Sequence, residues 1–538
     1  MNANRPKPVL VVALDSAEPS LVERWMNDGT LPTLKRLRSE GAYGRLKSSA
    51  EWLSGSPWPT FYTGTSPGEH GLYETTQWRA ERMQHAQASP EWLPVCPFWR
   101  NLDEKELRVV SVDLPMTYPP EPFNGIEICG WMTYDSISNV GKPTSYPATE
   151  IDRVRDKFGL EPIPIDSEKW GVQKIKSLLR MGDQLIQATQ RTAELARTLM
   201  IHEEWDLFMV AFAALHRGGH KLWDLSGTYG SVGARDREEF SHALRDIYVA
   251  CDKVVGQLTE EAGNDANILV FSLHGMRPNT NRTYLLPKVL HRILDSKSKY
   301  SQGSNEGYSS FLRRIKEYVT NVWWSLAFPP YSLPYKLFYF YRSKLFNNVS
   351  RIVAAPAFSL VTDLNGYVRI NLRGREKNGI VEPGEDYDQL CSAIIKDLET
   401  FVDADTGEPV VEQVVRSDEL FKSGPRLRYL PDLIVRWASS PSANQRAIVS
   451  NRDTSLCIPA PKRNLDGRSG NHSSEVFLIA VGSGMPHNSQ IENGNILDLA
   501  PTICALLGAH KPVQMRGNSL WAINKDIRAF SANAPSQV

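Results

Sequence analysis

Short, uninterrupted apolar runs alternate along this chain with longer segments whose apolar residues recur every three or four positions. The runs are VLVVAL (Val9–Leu14), DLFMVAFAAL (206–215), NILVFSL (267–273) and VFLIAVG (476–482). A run that is apolar at nearly every position fits a strand covered on both faces, as in a parallel sheet. The segments between have helical spacing: residues 21–39, about Ile175–His202, and about 237–263. A helix before each strand is what right-handed parallel crossovers require. The pattern predicts α/β architecture over most of residues 8–290 and again over 430–525.

Two stretches break the rhythm. Residues 75–167 are rich in Trp, Pro and Tyr, with short strand-like runs such as LRVVSVDLP and GIEICGW, and are expected to form an elaboration close to the sheet. Residues 286–354 join a polar linker, SKSKYSQGSNEGYSS, to an aromatic segment, VWWSLAFPPYSLPYKLFYFYR. They are expected to form an inserted cap or lid; a surface hairpin filling a domain interface, or a peripheral membrane contact, are the alternatives. The expected organisation is therefore a discontinuous core, 8–285 and 355–525, with an insert at 286–354 and a tail at 526–538. No apolar stretch reaches the ~18–20 residues needed to span a bilayer.

Charge changes the picture by exclusion. Lys plus Arg (61) equals Asp plus Glu (61), so nothing draws the chain to nucleic acid or to an anionic surface. Six scattered cysteines without a CxxC pair read as reduced thiols, which points to a cytoplasmic protein.

The strand ends carry the chemistry. Asp15 follows the first run, His216 and His220 the second, and His274 the third, while His472 lies just before the fourth. The loops at one edge of an open parallel sheet converge, so these residues read as one site. His216 and His220, four apart, face one way if that segment is helical, although Gly218 and Gly219 put the helix in question. Ser54-Gly55-Ser56-Pro57 reads as a tight approach to a helix with Pro57 at its first position and Ser56 as cap. A hydroxyl there is placed to attack an anionic centre, and the amide of Gly55 to hold its oxygens. His70, in PGEHG, reads as a residue that fixes the turn after this helix rather than as a ligand.

These residues, in this order, resemble the alkaline phosphatase superfamily, in its type I phosphodiesterase/nucleotide pyrophosphatase branch. The opening 9–48, the block Ser-x-x-x-Trp-x-x-Phe-x-Thr-Gly-x-x-Pro-Gly-x-His-Gly from Ser54 to Gly71, GYVRINLRGREKNGIVEPGEDY, PDLIVRW and GNHSSEVFLIAVGSGM carry the resemblance. It implies an alkaline-phosphatase-like core acting on a small-molecule phosphoester, with Ser54 as nucleophile passing through a phosphoserine. It also implies two ions, one on Asp15, Ser54 and His274, the other on His216, His220 and His472. Arg277, Arg373 and Arg375 become candidate clamps for phosphate oxygens. Many relatives have Asp where this chain has His216, and Asp where it has Leu273. Three histidines suit zinc. The missing carboxylate leaves the Asp15 site weak, so one firmly held zinc is expected, with a second divalent ion, manganese included, uncertain. A phosphotransferase on the same site, or a binding protein that has lost catalysis, are the competing readings. The formylglycine sulfatases need Cys- or Ser-x-Pro-x-Arg, which 54–58 does not provide.

Overall fold

Six consecutive buried residues, Val9–Leu14, form the middle of a nine-stranded sheet. The computed structural model describes residues 6–88, 92–102, 106–133, 143–168, 171–295, 355–360, 362, 364–422, 424–440, 442, 445–460, 466–482 and 485–521. The first strand pairs in parallel with Leu207–Phe212 on one side and Asn267–Phe271 on the other. Leu207–Phe212 pairs in parallel with Val109–Val112, and that strand with Gly125–Cys129. Val476–Val481 runs antiparallel between Asn267–Phe271 and Ala42–Leu46. The parallel register brings Leu14 beside Phe212 and Ala13 beside Phe271, so Asp15 and the residues after the two neighbouring strands leave the sheet at one edge.

The long helices Ile175–His202 and Ala234–Ala262 pack together and bury apolar stripes that include Leu185, Leu195, Ile247 and Val255 on one face of the sheet. The other face is covered by Pro57–Thr63 and Leu499–Leu506, which bury Phe61, Leu499 and Ile503 against Val11 and Leu269. Truncating any one of these buried aliphatic chains to alanine costs about 2–5 kcal/mol.

Three expectations change. Residues 21–39 form two helices, Pro19–Asn27 and Pro32–Glu40. Gly29 at φ +84° turns the chain, and Pro32 begins the second helix. The runs within 75–167 lie in the sheet rather than close to it: Val109–Val112 and Gly125–Cys129 are strands towards one side of the central sheet. The described residues of 357–459 contribute no central strand. They build a four-stranded sheet (Ala357–Ser359, Gly366–Ile370, Leu433–Trp437, Val411–Arg416) and a three-stranded one, both antiparallel. Their core includes Val368, Ile394 and Trp437, together with Leu286 and Leu290 of the helix Leu286–Asp295. The start of the expected insert therefore belongs to this second unit. Residues 296–354, which hold the aromatic segment, and the tail 526–538 lie outside the described residues.

Candidate active site

Asp15 is the hub. Its carboxylate is buried, which costs several kcal/mol unless opposite charge or donors offset it. His216 Nδ1 donates to Oδ2 at 2.8 Å, Trp58 Nε1 donates to Oδ1 at 3.2 Å, and His274 Nε2 lies 3.4 Å from Oδ1. Burial opposes ionisation of this carboxyl, but the two histidines outweigh it and hold it well below the ordinary carboxylate range.

The doubtful helix forms. Ala214–Leu222 carries His216 and His220 one turn apart. Its two glycines permit close packing: a Cβ at Gly218 would lie 2.8 Å from Ile247, and one at Gly219 2.7 Å from Met276. The last histidine arrives on a separate arm, Gly470–Ser473, paired antiparallel with Gly275–Pro278 so that His472 lies opposite Met276. Glu18 fastens this arm, accepting from the Met276 amide at 3.0 Å and the Ser473 hydroxyl at 2.9 Å.

The three rings converge. His216 Nε2 is 3.0 Å from His220 Nε2 and 3.1 Å from His472 Nε2. The ligand atoms of the set lie within 4.8 Å of one another. His216 Nδ1 is committed to a carboxylate and His220 Nδ1 to the carbonyl of Gly470 at 3.0 Å, so both Nδ1 atoms carry hydrogen. In neutral rings the two Nε2 atoms are then lone pairs facing each other, an arrangement that repels unless a cation lies between them. Burial first, then the nearby Arg468 and His216, push His220 well below its ordinary value; burial, His274 and His216 do the same to His472. Imidazole nitrogens converging on one point, with a carboxylate orienting one ring from behind, are a donor set that suits a metal ion.

Ser54 is buried, and its hydroxyl is engaged by a carboxylate. Oγ donates to Glu74 Oε1 at 2.8 Å, and no hydrogen bond joins it to Asp15 or to the three rings. Pro57 begins the helix Pro57–Thr63 as expected, whereas Ser56 does not cap it: its hydroxyl donates to the Leu53 carbonyl at 2.7 Å and lies 2.7 Å from Ser49 Oγ. The amide of Gly55 is not open to an oxyanion, because it donates to the Tyr73 carbonyl at 3.0 Å. His70 holds the turn. Its Nδ1 accepts from the Leu72 amide at 3.0 Å, so Nε2 carries the proton towards Thr60 Oγ1 at 3.0 Å.

The arginines divide. Arg375 grips Asp432 with two bonds, at 2.6 and 2.7 Å, and Arg373 pairs with Glu382 at the surface, so both candidate clamps are engaged by carboxylates. Arg277 differs: it neighbours the His472 arm, opposite Asn471, and its Nε is buried without a hydrogen-bond partner among the described residues. Leu273 packs into the apolar core and offers only its carbonyl, which accepts from Ser48 at 2.7 Å. Glu74 and Glu18 were missed. Neither sits at a spacing that ties it to Ser54 or His472, and both meet their partners only through the fold.

Comparison with known proteins follows this geometry. The family model described as type I phosphodiesterase / nucleotide pyrophosphatase matches residues 9–436. Comparison with curated proteins gives no match. Among solved structures, phosphonoacetate hydrolase from Sinorhizobium meliloti 1021, seen with phosphonoformate and with phosphonoacetate, is 12% identical. The alignment covers 94% of this chain and 96% of that one, with TM-scores of 0.51 and 0.50. Human ectonucleotide pyrophosphatase / phosphodiesterase 5 is also 12% identical, covering 95% and 97% at a TM-score of 0.48. At such identities the likeness is one of fold.

Proposed function

Since the chain belongs to the type I phosphodiesterase/nucleotide pyrophosphatase family of phosphohydrolases, within the alkaline phosphatase superfamily, we propose that it hydrolyses small-molecule phosphoesters using Ser54 and one zinc. The observation that carries this is the convergence of His216, His220 and His472 on one point beside Asp15. His216, His220 and His472 would hold a zinc ion, which would supply Lewis acidity towards a substrate oxygen.

The chain's own residues do the rest. Asp15 fixes the His216 ring through Nδ1 and keeps its Nε2 turned to the ion. Arg277 holds a charge-assisted donor beside the His472 arm, suited to a phosphate oxygen. Burial lowers the affinity of its guanidinium for its proton, and Glu412 partly restores it. An anion there would relieve that cost. Ser54 attacks phosphorus in line, giving a phosphoserine that water releases. No helix among the described residues is long and apolar enough to cross a membrane. The six free cysteines favour a reducing compartment, and we assign the protein to the cytoplasm.

A panel of aryl phosphate mono- and diesters, assayed with zinc and with manganese, tests the reading. At least one is turned over, and Ser54→Ala lowers that turnover by about 10⁴-fold or more, as removing a nucleophile does elsewhere. A Ser54→Ala protein at the wild-type rate removes Ser54 from the mechanism.

A further inference from the structure

We infer that Glu74 is a catalytic residue: it orients the Ser54 hydroxyl and takes its proton as the serine attacks phosphorus. The inference rests on the reading of Ser54 as nucleophile. Its ground is a short contact between two buried groups that the fold holds together from both sides. Ser54 Oγ donates to Glu74 Oε1 at 2.8 Å, and Thr362 Oγ1, which donates to the Asn365 carbonyl at 2.9 Å, lies 3.3 Å from the same oxygen.

The backbone makes that distance a fixed one. Gly55 N–H donates to the Tyr73 carbonyl at 3.0 Å, joining the serine segment to the glutamate segment twenty residues on. A Cβ at Gly55 would lie 2.6 Å from Glu74 Cα, so only glycine lets the two strands of chain approach this closely. Gln77 Oε1 accepts the amides of both Tyr73 (2.6 Å) and Glu74 (3.3 Å), while its Nε2 donates to the Gly71 carbonyl at 3.1 Å. On the other side the Tyr367 hydroxyl accepts from the Ser54 amide at 3.3 Å and donates to the Trp52 carbonyl. Asn365 donates to the carbonyls of Glu51 and Trp52. Both the central-sheet unit and the small antiparallel unit therefore brace one serine–carboxylate pair. Such bracing on rigid elements is what precise positioning of reacting groups requires.

Asp15, the carboxylate beside the three rings, is engaged by His216, His274 and Trp58 and makes no hydrogen bond to Ser54, whose hydroxyl donates to Glu74 instead. The proton inventory then closes. In the first half, the Oγ–H bond breaks and its proton passes to Oε1. Oγ bonds to phosphorus, and the ester P–O bond breaks with its electron pair leaving on the alcohol oxygen, which water protonates. In the second half, water bonds to phosphorus and loses a proton to solvent. The P–Oγ bond breaks and Oγ recovers the proton that Glu74 held.

Single-turnover phosphorylation of Ser54 by an aryl phosphate, trapped by acid quench, tests this on the full zinc-loaded chain. Glu74→Gln keeps the size and an acceptor oxygen but cannot take the proton. It should slow phosphorylation about 10²–10⁴-fold, the range for a positioned general base, with KM within a few-fold and zinc content unchanged. Glu74→Asp should recover part of the loss. The wild-type step should also slow in D2O, a measurement that needs no variant. If Ser54→Ala is inert while Glu74→Gln phosphorylates at the wild-type rate, the inference fails and the proposed function stands; a wild-type rate equal in H2O and D2O counts against it in the same way. If Ser54→Ala is itself fully active, both fall.

Discussion

Two buried polar clusters, one in each unit, use the same kinds of charged and ring side chains to opposite ends. In the small unit, Arg375 and Arg369 face Asp432 and Glu376, two cations against two carboxylates. Every oxygen there has a donor: the Ile370 amide and Tyr387 hydroxyl on Asp432, Trp78 Nε1 on Glu376. Burial and the two arginines act oppositely on the Asp432 carboxyl, and the arginines win, holding it low. At the edge of the central sheet, one carboxylate serves two imidazoles, and Nε2 atoms of three rings are left facing one another. The first cluster is closed and its function is cohesion. The second turns the Nε2 atoms of three rings towards one point, which is the geometry of a cation-binding site.

The sharpest contrast is in stability. Arg375→Ala leaves Asp432 buried and uncompensated and should cost about 3–5 kcal/mol, read as a lowered denaturation midpoint, with zinc content intact in the fraction that folds. His220→Ala, measured on metal-free protein, removes one of the mutually repelling lone pairs and should cost far less. If the metal-free His220→Ala chain loses as much stability as Arg375→Ala, the histidine cluster is a structural network like the other.

A smaller effect separates His70 from the ligand histidines. Burial lowers its pKa from 6.5 to about 3. The folded state thus binds this proton less readily than the unfolded chain does. Its stabilising contribution is complete above pH 6.5 and is lost progressively as pH falls from 6.5 towards 3. Replacing His70 with Gln, neutral throughout, should flatten the loss of stability in that window at a modest cost at pH 7. An unchanged slope between pH 6.5 and 4 would show that His70 titrates normally.

What could be read from sequence follows the same division. Asp15, His216, His220, His274 and His472 were legible because each adjoins a buried strand, and a parallel sheet delivers strand ends to one edge. The long helices were legible from periodicity. The carboxylate partners of Arg373 and Arg375 were not legible, since arginine beside a strand reads as an anion clamp until its partner is known. The partner of Arg375, Asp432, lies 57 positions away in PDLIVRW and carries no local mark. Glu74 stayed hidden because nothing about its spacing relates it to Ser54. The separate status of residues 357–459 was hidden too, as antiparallel strands with one-sided cores resemble core strands in a linear reading.

The account depends on a single cation held by three imidazoles. Metal analysis of dialysed wild-type and His220→Ala protein tests this most directly. One zinc per wild-type chain and none in the variant is the predicted result. Two firmly held ions per wild-type chain, or an ion that stays bound without His220, would contradict it.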